Sequence, residues 1–550
     1  MHAPVSALSP FQLPVFRRVW IASVGSNFGS LIQSVGAAWL MLELTHRADL
    51  VALVQTSTAL PVVMFALLGG AMADNLDRRR VMLAAQLLML ATSVALAFCA
   101  WMGWLSPWLL LAFTFLLGCG GSLNAPAWQA SVQDMVPRSH VPAAVALNSM
   151  GFNIARSTGP ALGGAIVATA GAAAAFAINA ISYLGLITVL WRWHPDREPR
   201  LLPRERLGSA MAAGLRYVAL SPWIRTILLR SIAFGIGAGA VLALLPLVAS
   251  RLLDGGAWEY GLLLGAFGLG AVVAALGSTA LRARFDTEHI VRGASIGSAV
   301  SLWAAAYSNA FALSALAMLG AGMGWVMALS TFNISAQLSA PRWVVARVLA
   351  LYQMAAFGGL AIGSSLWGWV ARGQGLDVAL YCAGAALALS AVLGRWLPLQ
   401  PSEDRDLDPL RQYREPETAV PVQPRTGPVV VTVEWIIDED DVVPFLQAMA
   451  ERRRIRRRDG AHQWALLRDL HEPTIWIERF KTATWLDYLR HSTRITRDDA
   501  AIPERLRALH RGDGPPRVHR LIERSTSRLP WTPSGPPELD EPPRDPARDL

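Results

Sequence analysis

Between two long apolar runs, the stretch GGAMADNLDRRRVML (69–83) holds two carboxylates and three guanidinium groups. Asp74 closes the first run, and Asp77 stands beside Arg78, Arg79 and Arg80. A carboxylate so placed accepts charge-assisted hydrogen bonds from an arginine or caps a neighbouring helix N-terminus. That is the chemistry of a latch between two states, with Gly70 allowing helices to approach. The alternative is that the arginines only fix membrane topology. A second group of residues lies inside the apolar runs. A charge at mid-bilayer costs about 2.5–3.5 kcal/mol on insertion scales and is mostly kept for function. Arg156 falls near the middle of a run and Arg230 about a third of the way into one, whereas Glu43, Asp134 and Glu259 lie near ends. Arg156 either meets an anionic substrate or is satisfied by Asn148, Asn153 or helix carbonyls. Asn124, Gln129 and Asn333 are further polar candidates. Trp128 and Trp367 offer faces for stacking an aromatic solute, and serve equally as interface anchors or packing. A third group, His491, Arg494 and Arg497 in HSTRITRDD, is a polar cluster without a catalytic signature, to be set against a plain solvated face. Cys99, Cys119 and Cys382 are odd in number and lack metal spacing, so they read as small buried hydrophobes rather than a disulfide framework or metal ligands; no cofactor is expected.

The elements that must position these groups are membrane helices. The chain is 53% hydrophobic and only 16% charged, against about a quarter charged in soluble proteins. A spanning helix needs about 20 mainly apolar residues. Twelve stretches qualify: 19–43, 50–73, 80–103, 106–132, 141–168, 172–193, 225–250, 259–281, 290–309, 311–336, 345–371 and 376–398. Residues 1–400 hold 24 Arg and 13 acids, so the positive net charge belongs to the apolar part, which points away from nucleic acid. The cations alternate from loop to loop. They gather at Arg78–Arg80, Arg138, 194–224, Arg282 with Arg284, and Arg342, while Arg47, Arg251 and Arg372 stand in sparse loops on the other side. Arginine-rich loops are cytoplasmic, which places both termini there and the protein in the cell (inner) membrane as a multi-pass chain. The first run follows Arg17 and Arg18 and is too long for a cleavable signal.

The loop 194–224 divides the spans six and six. Leu207, Met211, Leu215 and Val218 recur at helical spacing among arginines, giving either a helix in the interface plane or an ordinary connecting helix. RSHVPAAVALNSM (138–150) matches RWVVARVLALYQM (342–354) at an offset of 204, where a six-helix duplication predicts it. Duplicated halves flank midplane substrate sites in transporters. The expected domains are a bundle over 1–193, a cytoplasmic connection over 194–224, a second bundle over 225–398, a linker over 399–428, a soluble domain over 429–525 and a disordered tail over 526–550. The soluble part reads β-α-β-β-α-β, with VVVTVEWII and TIWIERFKT alternating as strands. The fold class is therefore an all-α membrane protein with a C-terminal α+β ferredoxin-like domain.

The turn Gly70-x-x-x-Asp74-x-x-Asp77-Arg78-Arg79 resembles the loop signature of the major facilitator superfamily, with Asp77 where that family usually has glycine. Gly159-Pro160-Ala161-Leu162-Gly163-Gly164 resembles the core of the antiporter motif of its efflux members, a bend at which a gate would pivot. The exporters' arginine four residues before a glycine is replaced: Gly118 matches, and Thr114 takes the arginine's place. FRRVWIASVGSNFGSLIQSVGAAWLMLELT, LNAPAWQASVQDMVPRSHVPAAVALNS and NIARSTGPALGG are similar to the enterobactin exporter and transmembrane secretion effector branch. The resemblance implies a secondary active transporter that exports a small amphipathic, siderophore- or drug-like molecule by alternating access, with protons as a coupling ion. The soluble part resembles the antibiotic-biosynthesis monooxygenase fold, which implies a dimer through that domain. It also leaves open a rival reading, a membrane-tethered protein whose tail has monooxygenase-like or regulatory activity.

Overall fold

The computed structural model describes residues 9–137, 140–193, 207–341, 343–399, 407 and 418–523. Contacts divide the chain into two units, one made of 1–197, 223–337 and 346–401, the other of 198–222, 338–345 and 402–550.

The first unit is a set of long helices whose ends follow local rules. α1 (Pro14–Leu44) and α4 (Pro107–Met135) start with proline in the first turn, where its missing N–H costs nothing. α2 (Ala48–Asn75) ends before Asp77, whose side chain accepts from the Arg79 amide and so caps α3 (Arg78–Trp101). α5 (Val141–Arg192) is interrupted at Gly171, whose φ of 77° is non-helical, so two helical stretches meet at a kink there. The remaining helices of the unit are α7 (Pro222–Leu247), α8 (Ala257–Arg282), α9 (Thr287–Tyr307), α10 (Phe311–Leu338), α11 (Val345–Gln374) and α12 (Leu376–Leu393). Among the described residues nine helices are long and apolar enough to cross a membrane. α1 and α9 are not among them, and Val141–Arg192 counts once despite its break. Large apolar side chains such as Trp101, Trp104, Trp108 and Leu276 face outward, as lipid contact requires.

The second unit holds α6 (Leu207–Ala219), the connection between α10 and α11, and an α+β body. Its antiparallel sheet has the order β2-β3-β1-β4, with β1 (Val429–Ile436), β2 (His462–Arg468), β3 (Ile475–Thr482) and β4 (Arg517–Ile522). β1 is central and pairs Val433 with Glu478 of β3 and with Val518 of β4. Helices α13 (Val442–Asp459), α14 (Trp485–Thr493) and α15 (Arg497–Leu509) complete the body. Val431, Val433, Trp435, Phe445, Met449, Phe480 and Leu506 form its core. Arg138, Arg204, Arg206 and Arg342 lie outside the described residues, as do most of the expected linker and the tail from 524 onward.

Candidate functional site

The two sets of spans meet at the end formed by the α1–α2, α7–α8 and α11–α12 connections. Asp49, in the first turn of α2, takes Arg47 at 2.8 Å and Arg372, in the last turn of α11, at 3.1 Å. Arg251 donates to the His46 carbonyl at 2.6 Å. One and two turns deeper, Gly368 lies against Ala52, and the Thr56 and Ser365 hydroxyls are 2.9 Å apart. Thr56 also donates to the Ala361 carbonyl at 3.1 Å. Trp39 stacks on Tyr260 with centroids 6.2 Å apart. The three cations of the sparse loops are thus all committed to this joint. Asp49, the partner that Arg47 and Arg372 share, was not singled out from the sequence; an acid opposite isolated arginines was the available signal.

α5 and α8 cross tightly on the same side of the molecule. A Cβ added at Gly164 would stand 2.6 Å from the Ala257 carbonyl oxygen and 2.8 Å from the Gly261 Cα. Gly159 and Gly163 instead face α1, against Leu31 and Ile32. The motif therefore serves two contacts, one within its own set of helices and one across. Pro160 has no N–H, so the Arg156 carbonyl loses its helical donor, and Gly268 of α8 packs directly on that carbonyl. The Arg156 guanidinium lies 5.6 Å from the centre of the Phe267 ring. Among the described residues no ion pair or hydrogen bond engages it. Phe267 leads through Trp325 to Phe234 and Phe332, an aromatic row with neighbouring centroids 6.2–6.5 Å apart. Asn148 and Asn153 lie half-buried on α5, as does Asn333 on α10, where it accepts from Gln337. Asn124 keeps a buried oxygen without a partner. Trp128 packs on the cluster of Phe16, Met82 and Met135, and Trp367 is 7% exposed and donates to the Ile236 carbonyl, so both are packed.

The opening loop fastens the start of α3 to the end of α5. Arg79 donates to the Leu190 carbonyl at 2.9 Å and to that of Trp191, satisfying the orphan acceptors where α5 ends. Arg80 reaches Asp77 at 3.7 Å, and Arg78 is also engaged. The side chain of Asp74 lies outside the described residues. The expected close approach at Gly70 is corrected: that position faces open space, and Gly69 meets the Ser122 carbonyl instead. Arg230 is fully buried and committed to Glu288 at 3.2 Å and to the Leu397 carbonyl at 3.0 Å. Glu288 also takes Arg292 and the Leu399 amide, so this knot ties α7, α9 and the exit of α12. Thr114 is 3% exposed and pairs with Ser57 at 2.6 Å, so a hydroxyl pair occupies the position of the exporters' arginine. Gln33, Ser93 and Asn179 form a buried network with Tyr183, another feature missed in the sequence, where amides inside apolar runs were the signal.

In the α+β body, His491 is 2% exposed and stacked on Phe480, not part of a solvated face. Burial, with Arg456 and Arg494 nearby, holds its imidazole well below the ordinary value, so it is neutral. Arg494 donates to the Asp459 carbonyl at 2.9 Å, and Arg497 is exposed and engaged. Glu478 is fully buried between Arg452 at 2.8 Å and Arg456 at 3.4 Å. Burial pushes its carboxyl up, but the two guanidinium groups and Trp464 outweigh that and hold it below the usual range. Among the described residues no group of His, Cys, Asp and Glu is arranged to hold a metal.

The family model described as transmembrane secretion effector matches residues 5–528. The enterobactin exporter of Shigella boydii is 27% identical over 366 residues, 64% of this chain and 85% of that protein. The staphyloferrin A transporter of Staphylococcus aureus is 23% identical over 257 residues, 45% of this chain and 62% of that protein. An uncharacterized MFS-type transporter of Bacillus subtilis is 26% identical over 209 residues, and the match spans about half of its length (49%). Among solved structures, a bacterial homolog of the lysosomal transporter Spinster, inward-facing and unoccupied, superposes with TM-score 0.56 at 14% identity, covering 70% of this chain and 97% of that one. A POT family transporter superposes with TM-score 0.58 at 13% identity, covering 70% and 97%. These similarities show the fold.

Proposed function

The chain belongs to the transmembrane secretion effector family of major facilitator transporters, and we propose that it exports a siderophore-like amphipathic anion by alternating access. The observation that carries the reading is the position of the joint. Helices from the two halves close on each other from Asp49–Arg372 down to the Gly268–Arg156 contact, and below that level α5 presents Arg156, Asn153 and Asn148. A site sealed at one end and lined by an uncommitted cation is what one state of an alternating-access cycle requires. The enterobactin and staphyloferrin A relatives support the substrate class. We take the sealed end as external, because the arginine-rich loops lie at the other, and both termini as cytoplasmic.

The finer plan goes with this reading. Twelve spans follow if α1 and α9 cross and Gly171 separates two passes. The bundles are 1–193 and 225–398, joined by 194–224, with a linker over 399–428, a soluble domain over 429–525 and a tail over 526–550. The strand order β2-β3-β1-β4 supports a ferredoxin-like soluble domain, and its second sheet face is available for a dimer. Arg156 is the anion contact, with Asn124, Asn148, Asn153 and Asn333 as further lining, while Trp128 serves packing. Arg230 serves the Glu288 knot instead. The Asp74–Arg79 loop and the Gly159–Gly164 segment govern the change of access, and protons drive it. The test is accumulation of a catecholate siderophore in inverted vesicles, with and without a pH gradient. Uptake that depends on the gradient and falls in Arg156→Ala is expected. Equal accumulation in vesicles lacking the protein defeats the proposal.

A further inference from the structure

The second unit is assembled from three distant stretches, and its joints are specific. Tyr217 of α6 is 2% exposed, and its ring meets that of Trp343, in the α10–α11 connection, edge to face at 5.5 Å. The α+β body covers both rings with cations. The Arg458 guanidinium stands 5.1 Å from the centre of Tyr217, and that of Arg494 stands 4.1 Å from the centre of Trp343. Neither arginine is loose. Arg458 is held by Asp459 at 2.8 Å and Asp499 at 2.7 Å, and Arg494 by the Asp459 carbonyl at 2.9 Å. A guanidinium fixed in advance over an aromatic face loses little entropy on contact. Asp499 is itself placed by the capping box that starts α15. Arg494, one of the three residues that read as a polar cluster in the sequence, is therefore part of a clasp.

A passive appendage on a linker would leave Tyr217 and Trp343 to be covered by the membrane part alone. Here the two rings come from different connections, one joining the two halves of the transporter and one inside the second half, and both are gripped by the same body. We propose that the soluble domain is a built-in restraint on the change of access: by clasping Tyr217 and Trp343 through Arg458 and Arg494, it pins the inter-bundle segment to the α10–α11 connection. The chain between the bundles must follow both of them when they rock, so a segment pinned to one bundle resists the motion. A change that weakens the clasp then frees the transporter, and a partner or modification acting on the soluble domain has a route to transport rate.

The test uses the full chain in detergent, with Cys99, Cys119 and Cys382 replaced by serine and Ala361→Cys as a reporter. Ala361 is 6% exposed in the sealed joint, so its thiol reacts with a maleimide when that joint opens. Trp343→Ala and Arg494→Ala are each expected to raise the labelling rate about two- to five-fold, the worth of one cation–π contact. The double variant should add nothing further, and Arg494→Lys, which keeps a cation over the ring, should stay near the parent. A second arm places Tyr217→Cys and Arg458→Cys together and joins them with a short bis-thiosulfonate. The bridged protein should label more slowly than the same protein after reduction. Unchanged labelling in both single variants, additive effects in the double, or equal rates before and after reduction of the bridge would each overturn the proposal.

Discussion

Asp49→Asn should open the sealed end without disturbing the fold. Asp49 has two partners, and only one depends on the transport state. Arg47 lies two residues away and stays beside it in any conformation, whereas Arg372 comes from the other half of the chain at 3.1 Å. The Asp49 side chain is 16% exposed and that of Arg372 51%, so water screens the pair. An ion pair this exposed is worth about 0.2–1 kcal/mol. Losing it should shift the ratio of sealed to open forms by roughly 1.4- to 5-fold, since 1.4 kcal/mol is a factor of ten. The Thr56–Ser365 and Arg251–His46 contacts remain, so complete opening is not expected. The assay is the rate at which a thiol at position 361 is modified by an impermeant reagent applied from outside cells. Asp49→Asn and Arg372→Gln should each raise that rate by the same factor, and the double variant should match the singles. High salt should raise the parent rate and leave the variants unchanged. A variant that labels at the parent rate at every salt concentration would refute the idea that this pair holds the joint.

Three further outcomes test other parts of the structure. Gly164→Leu, whose side chain would enter the 2.6 Å gap to the Ala257 carbonyl, should abolish transport while the protein still inserts, and Gly159→Leu, facing Leu31 within one bundle, should impair it less; equal transport rates would remove the distinction. Arg156→Lys keeps the charge but not the planar fork, so apparent KM should rise for anionic solutes and stay level for neutral ones, whereas losses that track expression level for every solute would assign Arg156 to structure. Glu478→Gln should cost the α+β body about 3–5 kcal/mol by leaving Arg452 and Arg456 buried without their partner, read as faster hydrogen exchange of β1 and β3 amides in the full chain. Because the folded Glu478 carboxyl lies below its ordinary value of 4.5, it contributes stability that is present above that pH and lost on further acidification, and the variant should lack this acid-sensitive component.

What the sequence disclosed and what it hid divide along a physical line. The long apolar helices were legible because hydropathy acts on every residue of a helix, and Gly171 and Pro222 mark breaks that any packing must respect. Alternation marked β1 and β3 of the α+β body as strands, and their inward residues Val431, Val433, Trp435 and Phe480 all reach one core. Partnership was far less legible. Arg230 and Arg156 look alike in the sequence, each a lone cation in an apolar run. One is engaged by Glu288, 58 positions away, and the other, among the described residues, meets an aromatic face. Arg47, Arg251 and Arg372 were counted for topology, yet all three are engaged in the joint, Arg47 and Arg372 by Asp49 and Arg251 by the His46 carbonyl. The same holds for Tyr217 and Trp343, unremarkable aromatics until a distant body supplies Arg458 and Arg494. Periodicity is a property of one segment, but a gate is a property of two. Residues at joints therefore carry a weak local signal, a charge or an amide slightly out of place, and acquire meaning only from the segment that answers it. On that argument the buried Gln33–Ser93–Asn179 network belongs with packing rather than gating, because all three helices that supply it lie in the same half of the chain.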